Sequence, residues 1–219
     1  MKDKIKIIFL SSFVMTKSRW FEREMNYLDK YSDIEIHELC DFLFPKIRTA
    51  LKDSYQSKRI VKFKTFSDWK NYVLNLRKKC IKEGKKLAIL TELSRYPWQG
   101  YNLKYIKVHQ FLKQSRIDYY EFNDSGSIPS NVSSKTYLRF LKIFKYWRYS
   151  LIRLNELSTS FFGSLLDVKP KGIFVAGGEI KKKLENLKKI KDVELINFNA
   201  WNYSSTVNKK NDPNLFKKK

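Results

Sequence analysis

Two carboxylates follow apolar runs that predict buried strands, and each is placed to act as a general base. Glu92 comes directly after KLAILT, and Glu179 comes after GIFVA through the pair Gly177-Gly178. A carboxylate in such a position can deprotonate an acceptor hydroxyl that lies within hydrogen-bonding reach. The two glycines would let a ligand approach the backbone closely, although a turn that requires positive φ explains the same pair. Glu92 and Glu179 are therefore the candidate catalytic residues.

Hydroxyl, aromatic and charged side chains follow the ends of the predicted strands and are candidates for binding substrate. The candidate substrate-binding residues are Ser11, Ser12, Thr16, Arg95, Trp98, Asp124, Gly177 and Gly178. The carboxyl ends of parallel strands meet at one edge of a sheet, so we expect these residues to cluster there. Aromatic rings beside convergent polar groups are typical of small-molecule sites. The alternatives are helix capping for the hydroxyls and a proline-stiffened surface loop with Trp98 packed on the core.

Several common cofactor and catalytic motifs are missing from the sequence. The first strand-to-helix junction, SSFVMTK, has no glycine and so lacks the dinucleotide-binding pattern, and neither a P-loop nor a G-x-S-x-G elbow is present. His37 falls in a predicted strand and His109 in a predicted helix, and neither has a His or Cys partner at ligand spacing. We therefore expect no cofactor and no metal site.

Residues 137–157 predict a long, strongly basic amphipathic helix. Its apolar residues share one face, and Arg139, Lys142, Lys145 and Arg153 lie roughly opposite. Cations beside aromatic rings suit the headgroup region of an anionic membrane, so these four are the candidate membrane-facing residues. The alternative is a core helix of the sheet whose basic face is solvated.

The hydrophobic pattern predicts a scaffold in which strands alternate with helices. The candidate strands are 4–10, 34–39, 86–91, 117–122, 172–176 and 193–198. Helices between them predict an α/β fold, with a Rossmann-like open, mostly parallel sheet of about six strands and helices on both faces. Residues 41–64 give the weakest pattern. We expect a single domain over 1–207 and a basic disordered tail over 208–219.

The helices are predicted from their apolar stripes and end signals. The segment TKSRWFEREMNYLDKYS predicts a helix with Phe21, Met25 and Leu28 on one face. Residues 66–83 predict a second helix, capped by Ser67 and followed by a glycine. Its stripe consists of Trp69, Val73, Leu76 and Cys80. Further helices are predicted over 105–113 and 181–190.

Composition restricts the class of protein and points to an anionic partner. The chain has 219 residues, with 45 Lys and Arg against 22 Asp and Glu and a net charge of +23. An aromatic content of 16% excludes a disordered basic tail, and two cysteines exclude a disulfide scaffold. Codon bias explains part of the lysine content but should also raise the acidic content, so a basic excess remains. We find no signal-peptide or membrane-spanning pattern and expect a cytoplasmic protein, at most peripheral on the membrane.

Three stretches of the sequence together resemble a known domain. They are the opening KIKIIFLSSFVMTKSRWFEREMNYLDKYSDIEIHEL and the later stretches GIFVAGGEI and LINFNAWNYS. They are similar to the amino-terminal domain of bacterial surface-polysaccharide (O-antigen or capsule) biosynthesis proteins related to GT-B-type glycosyltransferases. Such proteins begin with a strand that ends in small residues, an amphipathic helix and a second strand. The resemblance spans most of residues 4–204 and depends on this pattern, without an invariant chemical motif.

The resemblance implies the acceptor-side half of a glycosyltransferase-like enzyme. GT-B enzymes have two Rossmann-like domains and usually hold the nucleotide-sugar in the second, for which 219 residues leave no room. We therefore expect a donor-binding domain or partner protein to be needed for activity, and as partners a lipid-linked or anionic glycan acceptor and an anionic membrane surface. The alternatives are a nucleic-acid-binding module, whose aromatics would stack on bases, and a non-catalytic interaction subunit. No nucleic-acid-binding motif accompanies the charge.

Overall fold

Strands and helices alternate along the chain in the computed structural model, which describes residues 5–45, 55–93, 103–123, 168–176, 178–185 and 192–198. The strands are β1 (Ile5–Ser11), β2 (Asp33–Glu38), β3 (Ile60–Lys62), β4 (Lys86–Thr91), β5 (Tyr119–Asn123), β6 (Gly172–Ala176) and β7 (Glu194–Phe198). The helices are α1 (Lys17–Glu22), α2 (Met25–Tyr31), α3 (Cys40–Leu43), α4 (Phe66–Lys82), α5 (Leu103–Gln114) and α6 (Gly178–Glu185).

The strands of the described ranges form one parallel sheet in the order β3-β2-β1-β4-β5-β6-β7. This confirms the predicted Rossmann-like α/β fold. The sheet has seven strands instead of about six, because the three-residue β3 lies in the weakly patterned segment and is too short to show a period. The strand order changes direction between β1 and β4, and open α/β sheets bind ligands in the crevice at such a switch point.

Alternate side chains of the strands enter two cores, one on each face of the sheet. One core contains Ile8, Leu10, Trp69, Val73 and Val108, and the other contains Phe9, Met15, Trp20, Met25 and Ile36. The first core is closed by α4 and α5, and the second by α1 and α2. The sheet is therefore covered on both faces, as predicted.

The segment after β1 forms two short helices instead of one continuous helix. The chain breaks at Glu24, which has a left-handed backbone with φ of 52°. The break rotates the second helix relative to the first, so the predicted stripe is not a single face. Met25 is buried, but Phe21 is 51% exposed, and Trp20 takes its place in the core.

Helix α4 matches its prediction closely except at the cap. Thr65, instead of the predicted Ser67, accepts a hydrogen bond from Asp68 N at 3.1 Å. Trp69 and Val73 are fully buried against the sheet, as the stripe predicts. Gly84 follows the helix with φ of 67°, the left-handed conformation that ends helices.

Some predicted elements lie outside the described residues. These are the basic helix 137–157, with Arg139, Lys142, Lys145 and Arg153, and the tail 208–219. In the ranges that are described, no helix is both long enough and apolar enough to cross a membrane.

Candidate functional site

The ends of β1 and β4 bring three of the predicted site residues into direct contact at the switch point. Ser11 is the last residue of β1, Ser12 follows it, and Glu92 is the first residue after β4. Glu92 Oε1 lies 2.9 Å from Ser11 Oγ and accepts a hydrogen bond from Ser12 N at 3.2 Å. The Ser11 hydroxyl is also 2.8 Å from Phe13 O, so its single proton serves one of these two acceptors at a time.

Two arginines from the α1 segment converge on the same carboxylate. Arg19 Nη2 lies 2.8 Å from Glu92 Oε1 and 3.0 Å from Oε2. Arg23 Nη2 lies 3.3 Å from Oε2. The Glu92 side chain is only 9% exposed, whereas those of Arg19 and Arg23 are 20% and 18% exposed. Both carboxylate oxygens therefore carry charge-assisted hydrogen bonds, with the arginines on the solvent side.

Contacts with neighbouring elements fix the loop between β1 and α1. The buried Glu38, at the end of β2, accepts from Met15 N at 2.7 Å. Arg19 Nη1 donates to Val14 O at 3.3 Å, so the same guanidinium holds both the loop and Glu92. Thr16 accepts from Arg19 N at 3.3 Å and caps α1, which corresponds to the capping alternative for this residue.

Aromatic side chains form one wall of the site. Phe13, 40% exposed, stacks on Phe44 with ring centroids 5.6 Å apart, and Arg19 Cζ lies 5.4 Å from the Phe13 centroid. The Tyr105 ring packs edge-on against Phe44, and its hydroxyl hydrogen-bonds with Ser12. Burial, with the charge of Glu92, raises the pKa of Tyr105 to about 12 against the opposing effect of that hydrogen bond. Tyr105 therefore presents a neutral hydroxyl.

The remaining predicted site residues are farther away or outside the description. Gly178 begins α6 beyond the end of β6, at the same edge of the sheet. Strand β6 is two strand spacings from β4, roughly 10 Å, so Gly178 does not belong to the cluster around Glu92. Glu179 follows it in α6. Arg95, Trp98, Asp124 and Gly177 lie outside the described residues.

Six residues of the site were not predicted from the sequence: Phe13, Arg19, Arg23, Glu38, Phe44 and Tyr105. The sequence does contain a pattern that indicates the two arginines. Arg19 and Arg23 are four residues apart in the segment that follows the first strand, and this spacing places two side chains on the same side of a helix. Glu38 and Tyr105 gave no comparable signal, because their contacts depend on how β2 and α5 pack around the loop.

A second polar cluster lies between β1, β2 and α4 and is partly buried. Lys6 Nζ lies 2.8 Å from Asp33 Oδ1 and 2.8 Å from Glu35 Oε1. Glu35 Oε2 accepts a hydrogen bond from the Tyr72 hydroxyl at 3.0 Å. Burial alone would raise the pKa of Glu35, but hydrogen bonds from His37, Lys6 and Tyr72, together with the charge of Lys6, lower it to about 2.

His37 belongs to this second cluster as a neutral imidazole. Trp69 Nε1 donates to its Nδ1 at 3.2 Å, and its Nε2 lies 3.3 Å from Glu35 Oε2. Because Nδ1 accepts, the ring proton is assigned to Nε2, which donates to Glu35. Burial lowers the pKa of His37, against the opposing effects of the hydrogen bond and charge of Glu35. The imidazole is fully buried, so we assign it a role in holding α4 on the sheet.

His109 is placed in a similar buried position in α5. Its ring stacks on Tyr119 with centroids 5.0 Å apart, and its Nε2 lies 4.0 Å from Glu121 Oε1. Across the described ranges, no three His, Cys, Asp or Glu side chains come together in a way that could hold a metal ion.

The arrangement at the switch point is suited to binding an anionic, hydroxyl-rich ligand. Two guanidinium groups and an exposed aromatic ring lie close together beside the ends of β1 and β4, next to buried serine hydroxyls and a backbone N–H that already contacts Glu92. A scan against protein-family models, a search of curated proteins and a search of solved structures each found no significant match to this chain.

Proposed function

We propose that this chain is a Rossmann-like domain of surface-polysaccharide assembly that binds a lipid-linked or anionic glycan acceptor at the crevice between β1 and β4. The observation that supports it best is the convergence of Arg19 and Arg23 beside the exposed ring of Phe13. Aromatic rings pack on sugar faces, and guanidinium groups bind phosphate or carboxylate.

Glu92 organises this site and does not act as its general base. Its Oε1 already faces Ser11, Ser12 and Arg19, and its Oε2 faces Arg19 and Arg23. Both oxygens are therefore already occupied by hydrogen-bond donors of the protein, so a substrate hydroxyl could reach them only by displacing one of these donors. The domain therefore binds the acceptor, and a separate donor-binding domain or protein supplies the nucleotide-sugar. Glu179 remains the other predicted catalytic carboxylate.

The membrane contact belongs to the same proposal. The basic residues of segment 137–157, together with a net charge of +23, would hold the domain on an anionic surface where a lipid-linked acceptor is anchored. The same charge supports the alternative of a nucleic-acid-binding module, because lysine and arginine also bind phosphate backbones.

A vesicle experiment at physiological ionic strength separates the two functions. The chain is sedimented with anionic vesicles, with and without a polyprenyl-diphosphate-linked oligosaccharide, and is titrated with single-stranded RNA. We expect the glycan to increase vesicle binding, Phe13→Ala to abolish that increase, and charge reversal of Arg139, Lys142 and Lys145 to abolish vesicle binding. Phe21→Ala is the matched control, since Phe21 is an exposed ring on α1. Tight RNA binding with no effect of the glycan would favour the nucleic-acid alternative.

A further inference from the structure

The Glu92 carboxylate occupies the place that an external anion would take on the two arginines. It receives a guanidinium nitrogen from Arg19 and another from Arg23, and a backbone N–H from Ser12. Each of these groups is a hydrogen-bond donor, and guanidinium and backbone N–H groups are the donors that bind phosphate oxygens in proteins.

We propose that Glu92 is an internal counter-ion, which the diphosphate group of a ligand displaces from Arg19 and Arg23. The inference rests on the proposed function, because it specifies the charged part of the acceptor that the crevice binds. In the unliganded chain the carboxylate keeps the guanidinium groups in place, so the ligand meets a site whose donors are already oriented.

The exposure of the two arginine side chains and the charge of a diphosphate both favour the replacement of Glu92 by the ligand. The Arg19 and Arg23 side chains are 20% and 18% exposed, so a ligand in the crevice reaches them from the solvent side. Glu92 contacts both guanidinium groups through one carboxylate. A diphosphate carries more negative charge than a carboxylate and has more oxygens to accept hydrogen bonds, so it matches a pair of guanidinium groups better.

The position of Phe13 indicates where the rest of the ligand would lie. Its ring is 40% exposed and stands beside the Arg19 guanidinium, with 5.4 Å between Arg19 Cζ and the ring centroid. A sugar or prenyl group attached to the diphosphate would pack on this ring once the phosphates contact Arg19.

The test is calorimetric titration of the full chain with inorganic pyrophosphate. Glu92→Gln removes the competing charge, and we expect it to bind pyrophosphate about tenfold more tightly than wild type, the change expected from one charge-assisted hydrogen bond. Arg19→Gln should bind about tenfold more weakly. The matched controls are Glu83→Gln and Arg59→Gln, which remove the same charges from surface ion pairs elsewhere and should leave the affinity within about twofold of wild type.

Pyrophosphate affinity that is unchanged or weaker in Glu92→Gln would overturn the proposal. Circular dichroism verifies that each variant is folded. If Glu92→Gln is not folded, Glu92→Asp is tested instead. The shorter aspartate side chain keeps the negative charge but contacts the two arginines less closely. This variant should also bind more tightly than wild type, and equal binding would overturn the proposal.

Titrations with UDP and geranyl diphosphate identify the source of the diphosphate. If geranyl diphosphate binds more tightly than UDP and pyrophosphate, if Glu92→Gln strengthens its binding and if Phe13→Ala removes its advantage, the result supports both the counter-ion and the lipid-linked acceptor. Equal binding of UDP, geranyl diphosphate and pyrophosphate, each strengthened by Glu92→Gln, supports the counter-ion and contradicts the acceptor assignment. Failure of all three to bind, with glycan-dependent vesicle binding intact, would overturn the counter-ion alone.

Discussion

Replacing Glu35 by glutamine tests the electrostatics of the partly buried cluster between β1, β2 and α4. The pKa of Glu35 is about 2 in the folded chain, against an ordinary value of 4.5. A carboxyl with a lowered folded pKa adds stability above its unfolded pKa and loses it as the pH falls towards the folded value. The difference between these two pKa values corresponds to a contribution of about 3 kcal/mol to the free energy of unfolding at pH 7. About 2 kcal/mol of this contribution is lost between pH 7 and pH 3.

The assay is urea denaturation followed by circular dichroism at several pH values from 7 to 3. Glu35→Gln keeps the shape of the side chain but cannot ionise, so it should be less stable than wild type at pH 7 by up to about 3 kcal/mol. Its free energy of unfolding should also fall less on acidification, by about 2 kcal/mol, because Glu35 no longer takes up a proton on unfolding. Glu83→Gln is the control: Glu83 pairs with lysines on the surface, so this variant should unfold at nearly the same urea concentration as wild type at each pH.

The decisive quantity is the difference in free energy of unfolding between wild type and Glu35→Gln, and how this difference changes with pH. If this difference is the same at pH 7 and pH 3, the pKa of Glu35 is not lowered by folding and the account given for the cluster is incorrect. A difference that grows on acidification would show that burial outweighs the hydrogen bonds from Lys6, His37 and Tyr72.

Other substitutions test local features of the fold by urea denaturation. Thr65→Ala removes the cap of α4 and should cost about 1 kcal/mol, whereas Ser67→Ala, at the predicted cap, should cost only a few tenths. Gly172→Ala should destabilise by about 1–3 kcal/mol, because its Cβ would lie 3.0 Å from a tyrosine ring atom of β5 and 3.2 Å from a backbone oxygen of β7. Trp69→Phe removes the hydrogen bond to His37 and should lower the free energy of unfolding by about 1 kcal/mol at pH 7. Without this donor the neutral imidazole of His37 is less favoured, so the variant should lose less stability than wild type as the pH falls below 6.5.

Local periodicity predicted the regular elements well. Strand β4 was predicted over its observed range and α4 to within one residue, because a long apolar stripe and Gly84 mark the helix. The short β3 and the break at Glu24 were not predicted. Pairing with β2 and packing on the sheet produce these features, and neither changes the local pattern of apolar residues.

The carboxyl ends of parallel strands meet at one edge of a sheet, and this rule predicted that Ser11, Ser12 and Glu92 come together. It could not predict Arg19 or Arg23, because neither follows the end of a strand: Arg19 lies in α1 and Arg23 directly after it. The sequence also could not show that hydrogen bonds already occupy both oxygens of Glu92. A carboxylate after a strand is equally consistent with a general base and with an ion-pair partner, and only the surrounding donors distinguish the two.

The two carboxylate clusters of this domain have similar chemistry but different surroundings, and their surroundings separate their roles. The Lys6 side chain, which pairs with Glu35, is 8% exposed, whereas that of Arg19, which pairs with Glu92 at the switch point, is 20% exposed. A ligand can replace a partner only where solvent reaches the cation, so the first pair stabilises the fold and the second is suited to exchange. Glu35→Gln should therefore lower stability without changing pyrophosphate affinity, whereas Glu92→Gln should raise that affinity, and an equal effect of both substitutions on binding would contradict this division of roles.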